Sequence, residues 1–127
     1  MRYFVQYHNP SKMGYEVSPK ELSVQTDKGS QVSVGDTIWL ITGKGTPRRY
    51  FLCNMFTVET VCPQRGAKFS CRVSGSHGKP FNPPIRIDEK VWFEELRKRA
   101  GNFAFGLQSI RNPSIVKSLQ NISERAK

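Results

Sequence analysis

The stretch from Thr37 to Val61 constrains the fold most. TIWLIT, at Thr37–Thr42, is an unbroken run of β-forming residues, and Tyr50–Val61 is a second and longer one. Between them lies GKGTPRR, Gly43–Arg49, a basic loop with two glycines. In the second run both alternating sets of side chains are apolar: Phe51, Cys53 and Met55 on one, Tyr50, Leu52, Phe56 and Val58 on the other. Strand side chains point to opposite faces in turn, so this strand is expected to be covered on both.

The flanking sequence supplies the covering elements. Tyr3–Tyr7 reads as an opening strand and Asn9–Gly14 as a loop. Ser18-Pro19-Lys20-Glu21 carries helix-start signals: a capping serine, a proline at the first position and a capping-box glutamate. That predicts a short helix, followed by a loop over Thr26–Val34 and a tight turn at Val34-Gly35-Asp36. Pro63–Ala67 is a turn, and Lys68–Val73 alternates, with Phe69, Cys71 and Val73 inward. Ser74–Pro84, rich in glycine and proline, is expected to be irregular, with a short edge strand at Ile85–Ile87. Asp88 is expected to cap a helix over Glu89–Ala100, closed by Gly101 and carrying Trp92, Leu96 and Ala100 on its apolar stripe. Ala104–Ile110 reads as a last strand. Asn112 and Pro113 start a last helix with Ile115, Val116, Leu119 and Ile122 inward. The pattern has no internal repeat and no linker, so residues 1–127 are read as one α+β domain: a bent antiparallel sheet or small barrel with helices packed at its ends.

Charge is the first functional clue. Twenty Lys and Arg face ten Asp and Glu, a net charge of +10. Residues 1–63 hold seven basic and five acidic side chains, residues 64–127 thirteen and five, so most of the excess lies in the second half. Such a field attracts polyanions, nucleic acid first among them. Enzyme chemistry finds little support. The two histidines, His8 and His77, lie in loop-like surroundings, no G-x-S-x-G occurs, and Asp88, Glu89, Glu94 and Glu95 share one predicted helix face. A binding domain without catalytic residues or cofactor is expected. Cys53, Cys62 and Cys71 form no C-x-x-C pair, which argues against a zinc site and for reduced thiols in the cytoplasm. MRYFVQYHNP does not read as a signal peptide, and no apolar run approaches the roughly 18 residues of a membrane span.

Gly43-Lys44-Gly45-Thr46 lacks the spacing of a nucleotide-binding loop. As a basic hairpin it can instead grip a phosphate backbone through Lys44, Arg48 and Arg49. Trp39, Trp92 and Phe105 suit either a hydrophobic core or the stacking of a base. Asn102 and Gln108 carry amides that suit either a turn or the edge of a base.

Four segments together resemble an EVE-type domain of the PUA-like superfamily, which also includes YTH, ASCH and SRA-like folds. They are YFVQYHNP at the start, VGDTIWLI at Val34–Ile41, the Arg48–Val58 strand and GNFAFGLQSI at Gly101–Ile110. The resemblance spans nearly the whole chain in order of elements. It implies a curved barrel of about five or six strands with about three helices around it. It also implies an aromatic pocket that accepts a flipped, modified base such as 5-methylcytosine or 5-hydroxymethylcytosine. The pocket positions it implies are Tyr7, His8, Asn9, Met13, Tyr15, Trp39, Ile41 and Thr42, with Trp92, Asn102 and Phe105 as further candidates. Phosphates are expected on Lys44, Arg48, Arg49, Arg65, Lys68 and Arg72. Such domains are often joined to an HNH-type nuclease; this chain has no HNH-like signature, so a nuclease would be a separate domain or partner. Modified DNA is the favoured ligand. An RNA module, acting on tRNA or methylated RNA, and a protein-interaction module for an acidic partner are the alternatives.

Overall fold

A computed structural model describes residues 1–66, 68–103 and 106–126, with Ser11 and Lys12 described by backbone only. It is an α+β fold in three layers. The strands are β1 (Tyr3–His8), β2 (Ser23–Thr26), β3 (Thr37–Lys44), β4 (Arg49–Thr57), β5 (Thr60–Pro63), β6 (Cys71–Ser74), β7 (Gly78–Arg86) and β8 (Leu107–Ser109). The helices are α1 (Pro10–Met13), α2 (Phe93–Arg99) and α3 (Pro113–Arg125). Five strands form a central sheet in the order β7-β4-β3-β1-β8, and β2-β6-β5 form a second, three-stranded sheet. β1 and β3 run parallel while every other pair is antiparallel, so the central sheet is mixed and not the antiparallel sheet expected. Among the described residues it keeps two edges, β7 and β8, and does not close into a barrel.

The covering on both faces expected of the Tyr50–Val61 strand is present in β4, and β3 shares it. Toward α2 and α3 the sheet turns Val5, Tyr7, Trp39, Ile41 and Leu52 into a core with Leu96 and Leu119. Toward the second sheet it turns Phe4, Ile38, Leu40, Cys53 and Phe56 against Val24 and Val73. Each such side chain, fully buried, contributes about 1.5–3 kcal/mol.

Local signals succeed where nothing distant competes for them. The Asn112 side chain accepts the backbone N–H groups of Ser114 (2.9 Å) and Ile115 (3.2 Å), and Pro113 opens α3. Ile115, Val116 and Leu119 are buried and Ile122 packs beside them. Asp36 of the V-G-D turn accepts the N–H of Ser33 (2.9 Å) and, on its other oxygen, that of Arg2 (2.9 Å), tying the N-terminus to β3. Gly35 supplies the positive φ of 97° that this turn requires. In the Lys68–Val73 segment Val73 is buried, Phe69 and Cys71 are half-buried, and Lys68, Ser70 and Arg72 are exposed.

Six expectations are corrected. Asn9–Gly14, read as a loop, contains the short helix α1, closed by the Met13 N–H to Asn9 C=O (2.9 Å) and the Gly14 N–H to Pro10 C=O (2.9 Å). Ser18-Pro19 opens a turn, Glu21 N–H to Ser18 C=O at 3.1 Å, and not a helix; the chain then enters β2, where Val24 and Thr26 alternate inward. The Thr26–Val34 segment, read as a loop, begins inside β2 and contains a 3-10 turn at Gly29–Gln31. Tyr50–Val61 divides at Val58: the Val58 N–H goes to Asp36, the Glu59 N–H goes to Ser74, and the chain crosses to the second sheet. Gly78–Arg86 forms a strand despite its prolines, because β7 is an edge strand bonded on one side only. Its pairing jumps from Ile85 opposite Leu52 to Pro80 opposite Asn54. Finally, α2 starts at Phe93 because Asp88 is occupied elsewhere. It accepts the Tyr50 N–H (3.0 Å) and pairs with Arg86 (3.0 Å), whose hydrogen bond holds its carboxyl below the usual range. The end of α2 is as expected, with Gly101 at φ 61°. Of the predicted last strand, Leu107–Ser109 is observed, while Ala104 and Phe105 lie outside the described residues.

All three cysteines are free. Cys62 lies opposite Arg72, and Cys71 opposite Pro63, in the β5–β6 register. Adjacent positions point to opposite faces, so Cys62 and Cys71 cannot bridge. Burial pushes the Cys53 thiol up to about 12.

Two predictions follow from this packing. Asn112→Ala should destabilise the domain by about 1 kcal/mol, read as a lowered Tm, because two N–H groups of α3 lose their acceptor. Thiol reagents at pH 8 should modify exposed Cys62 in the native protein and Cys53 only after unfolding. An unfolded Cys53 ionises near its ordinary 9.0 and the folded one near 12. Its contribution to stability is therefore full below pH 9 and is lost as the pH rises toward 12.

Candidate functional site

The alternation of β1 decides the site. Phe4, Gln6 and His8 face the second sheet, while Val5 and Tyr7 face the helices. Beyond Phe4 the side chains on the second-sheet face become polar, and there the two sheets enclose a hollow of about 240 Å³. Gln6 and His8 line it from β1, Leu40 from β3, Met13 from α1, and Tyr15, Ser18 and Glu21 from the segment leading to β2. Gln25 of β2 and Arg72 of β6 complete it.

Two buried polar side chains hold the connecting segment over this hollow. His8 is 7% exposed, and its Nε2 lies 2.9 Å from the Tyr15 carbonyl oxygen. A carbonyl only accepts, so Nε2 carries the proton of this bond. Asn54 is fully buried, and its Nδ2 donates to the carbonyls of Pro19 (3.0 Å) and Glu21 (3.2 Å). Tyr15 stands at the mouth, 49% exposed, edge-on to the His8 ring at 5.2 Å. Its hydroxyl accepts from Gln25 Nε2 (3.0 Å), and Gln25 Oε1 in turn accepts from Gln64 (3.2 Å). Gln6 also lines the hollow; it is 7% exposed, and its Oε1, itself out of contact with solvent, has no hydrogen-bond partner. An unsatisfied buried acceptor costs about 1–3 kcal/mol.

A second, basic hollow of about 510 Å³ adjoins the first and shares Val17 with it. Asn9, Lys44 and Arg48 line it, together with Glu16. Arg49 and Lys44 flank the other side of the same hairpin with Phe51. Lys44, Arg48 and Arg49 are exposed and make no ion pair among the described residues. Arg48 is steered by its Nη1, 3.3 Å from the Tyr7 hydroxyl, and burial raises the pKa of that hydroxyl. In the second half of the chain, by contrast, four of the five acids neutralise arginines: Asp88 and Glu89 pair with Arg86, Glu94 with Arg97, and Glu95 with Arg99.

The structure thus sorts the predicted residues. His8, Met13, Tyr15 and Arg72 meet in the polar hollow, and Asn9 joins Lys44 and Arg48 beside it. Tyr7, Trp39 and Ile41 do not join them, because they point to the opposite face of the sheet. Trp39 is completely buried; its Nε1 donates to Ser123 Oγ (3.0 Å) and its ring stacks on Tyr3 at 5.8 Å. Tyr7 stacks on Phe103 at 5.1 Å in the helix-side core. Thr42 is buried, and its hydroxyl donates to the His8 carbonyl (2.9 Å). Trp92 lines a different, largely apolar cavity of about 780 Å³ between β7 and α3, where Lys90 and Arg125 are the charged lining residues. That cavity is larger, but none of its lining residues has a buried side-chain polar atom without a partner, as Gln6 of the first hollow does. Asn102 is exposed at φ 57°, Arg65 and Lys68 are exposed on the β5–β6 connection, and Phe105 lies outside the described residues. Gln6, Glu21 and Gln25 are lining residues that the sequence reading missed. For Gln6 the signal was present, as a polar residue between Phe4 and His8 on one face of β1.

Among the described residues no group of three His, Cys, Asp or Glu can hold a metal ion, and no helix is long and apolar enough to cross a membrane. No protein-family model matches the chain, and no curated protein matches it.

Asn54→Ala should free the Pro19–Glu21 backbone. Hydrogen exchange at the Glu21 and Ser23 amides is expected to accelerate at least tenfold, while the amides of α3 keep their protection. Unchanged exchange at Glu21 and Ser23 would show that the segment is held by something else.

Proposed function

We propose that this chain is a nucleic-acid-binding domain that accepts one unstacked base in the polar hollow between its two sheets. On this reading the backbone of the ligand runs along the β3–β4 hairpin. The observation that carries it is the juxtaposition of that hollow, with Tyr15 at its mouth and Arg72 in its lining, with Lys44 and Arg48, cations that make no ion pair among the described residues, next to it. Pockets for drug-sized ligands run from about 300 to 1,000 Å³. At about 240 Å³ the hollow suits a single ring system. Tyr15 gives a base a half-exposed ring on which to stack, an interaction of about 1–3 kcal/mol. The net charge of +10 adds the long-range attraction for phosphate.

The resemblance to EVE-type domains sharpens the proposal toward a flipped, modified base in DNA. Met13, Val17 and Leu40 form the apolar part of the lining, against which a base methyl group would rest. Nuclease activity, on this reading, belongs to a separate domain.

Oligonucleotides with one 5-methylcytosine or one plain cytosine, titrated at two salt concentrations, test this. Binding should weaken steeply with salt, and the methylated oligonucleotide should bind at least fivefold tighter. Tyr15→Ala should remove that preference and leave the salt-dependent binding. Lys44→Ala and Arg48→Ala should weaken both ligands equally, each reducing the salt slope by about 1. Absence of binding at low salt would refute the proposal. Equal affinity for the two oligonucleotides would refute its modified-base part.

A further inference from the structure

We infer that the cavity between β7 and α3 is a second binding site, on the helix side of the central sheet and separate from the polar hollow. Its ligand class is a small organic monoanion with an apolar body, such as an aromatic carboxylate.

The size and the apolar lining define the body of that ligand. At about 780 Å³ the cavity lies within the range of pockets for drug-sized molecules, about 300–1,000 Å³. Ile85, Trp92, Ile122 and Ala126 line it, and each packs against the helix-side core while staying only half-buried. Four apolar side chains thus keep part of their surface in water around one concavity. A ligand body resting there removes that surface from solvent, which is the favourable step of binding.

The charged part of the lining has one sign. Lys90, on the turn before α2, and Arg125, in the last turn of α3, line the cavity, and no carboxylate does. Neither cation makes an ion pair among the described residues. Both are exposed, which suits contact with an anionic group held at the opening and not within. The acids next to them in sequence do not cancel them in the lining: Glu89 pairs with Arg86 (2.9 Å), and Glu124 is exposed and lies outside it. The Asn82 and Asn121 amides, also in the lining, accept or donate as a ligand requires.

One charge suits the site better than several. The cavity adjoins the last turn of α3, whose carbonyls present the negative end of the helix dipole. The Lys79 ammonium, 3.3 Å from the Ser123 carbonyl, covers one of them. A chain of phosphates would bring further negative charge against that end.

The test uses the whole chain, isotope-labelled at its two tryptophans, with naphthoate and its neutral counterpart naphthamide as probes at neutral pH. Naphthoate should move the Trp92 indole N–H resonance saturably, with a Kd of about 1 mM or below, and that of Trp39, which is bonded to Ser123, less. Naphthamide should bind about fivefold more weakly, a difference within reach of two exposed charge contacts. The double variant Lys90→Gln/Arg125→Gln, changed only at exposed positions, should bring the two probes to within about twofold of one another. A ratio unchanged in that variant would overturn the role of the two cations. Equal binding of both probes by the wild type would overturn the preference for an anion, and no saturable shift at Trp92 with either probe would overturn the site. Displacement of naphthoate by a single-stranded oligonucleotide would assign the cavity to nucleic acid and overturn the ligand class.

Discussion

The central sheet is buried on both faces, and the two faces have unlike neighbours. On the helix side it meets a nearly dry core, where Trp39, Leu52, Leu96 and Leu119 are wholly out of water. On the other it meets a small sheet of three short strands, too narrow to cover β1 and β3 along their whole length. Each strand therefore assigns alternate residues to two environments, and a single step along the chain moves a side chain from core to site. Tyr7 and His8 are neighbours in sequence, yet one stacks on Phe103 and the other lines the hollow. The parallel register carries the same division into β3, where Leu40 shares the face of Gln6 and Ile41 that of Tyr7.

Buried polar groups are the means by which the uncovered corner is organised. The Tyr15–Glu21 segment has no ladder of its own, and a segment of this kind is ordinarily the most mobile part of a domain. Here two side chains from the central sheet, His8 and Asn54, reach its backbone carbonyls. Hydrogen bonds in such surroundings gain strength from the low local dielectric, and the same dielectric makes any unpaired partner costly. Gln6 Oε1 and Asn54 Oδ1 are left in that condition. At Asn54 that cost accompanies the two hydrogen bonds its nitrogen makes to Pro19 and Glu21; at Gln6 it falls on a lining residue of the hollow.

How far the sequence could be read follows from the range of the interactions involved. The start of α3 was legible because Asn112, Pro113 and the first turn satisfy one another within three residues. The start of α2 was not, because Asp88 is taken by the N–H of Tyr50, 38 residues away, and the helix begins five residues later than its capping signal. The proline-rich β7 was illegible for a related reason: its proline content argues against a strand until it is known to lie at an edge. In the hollow, Met13, Tyr15 and His8 were found through family resemblance. Trp39 was drawn in with them because aromatic character alone does not separate a core ring from a stacking ring. Strict attention to the period of two would have set Tyr7 and His8 on opposite faces and brought Gln6 forward. Nothing local could reveal Glu21, whose position depends on Asn54 across a separation of 33 residues.

Charge and selectivity pull in different directions at this site. A chain with ten more cations than anions attracts polyanions, and on the nucleic-acid reading the cations of the β3–β4 hairpin would not distinguish one sequence from another. Lys44, Arg48 and Arg49 of the hairpin make no ion pair among the described residues, although Glu16 shares the lining of the adjoining hollow with Lys44 and Arg48. The polar hollow is mixed in sign, with the exposed Glu21 and Arg72 both in its lining and neither in an ion pair among the described residues. A purely electrostatic binder would gain from the removal of Glu21. On the nucleic-acid reading, the hairpin cations and Arg72 attract the backbone while Glu21 opposes it at one point of the lining, so charge alone does not decide which part of a strand enters the hollow.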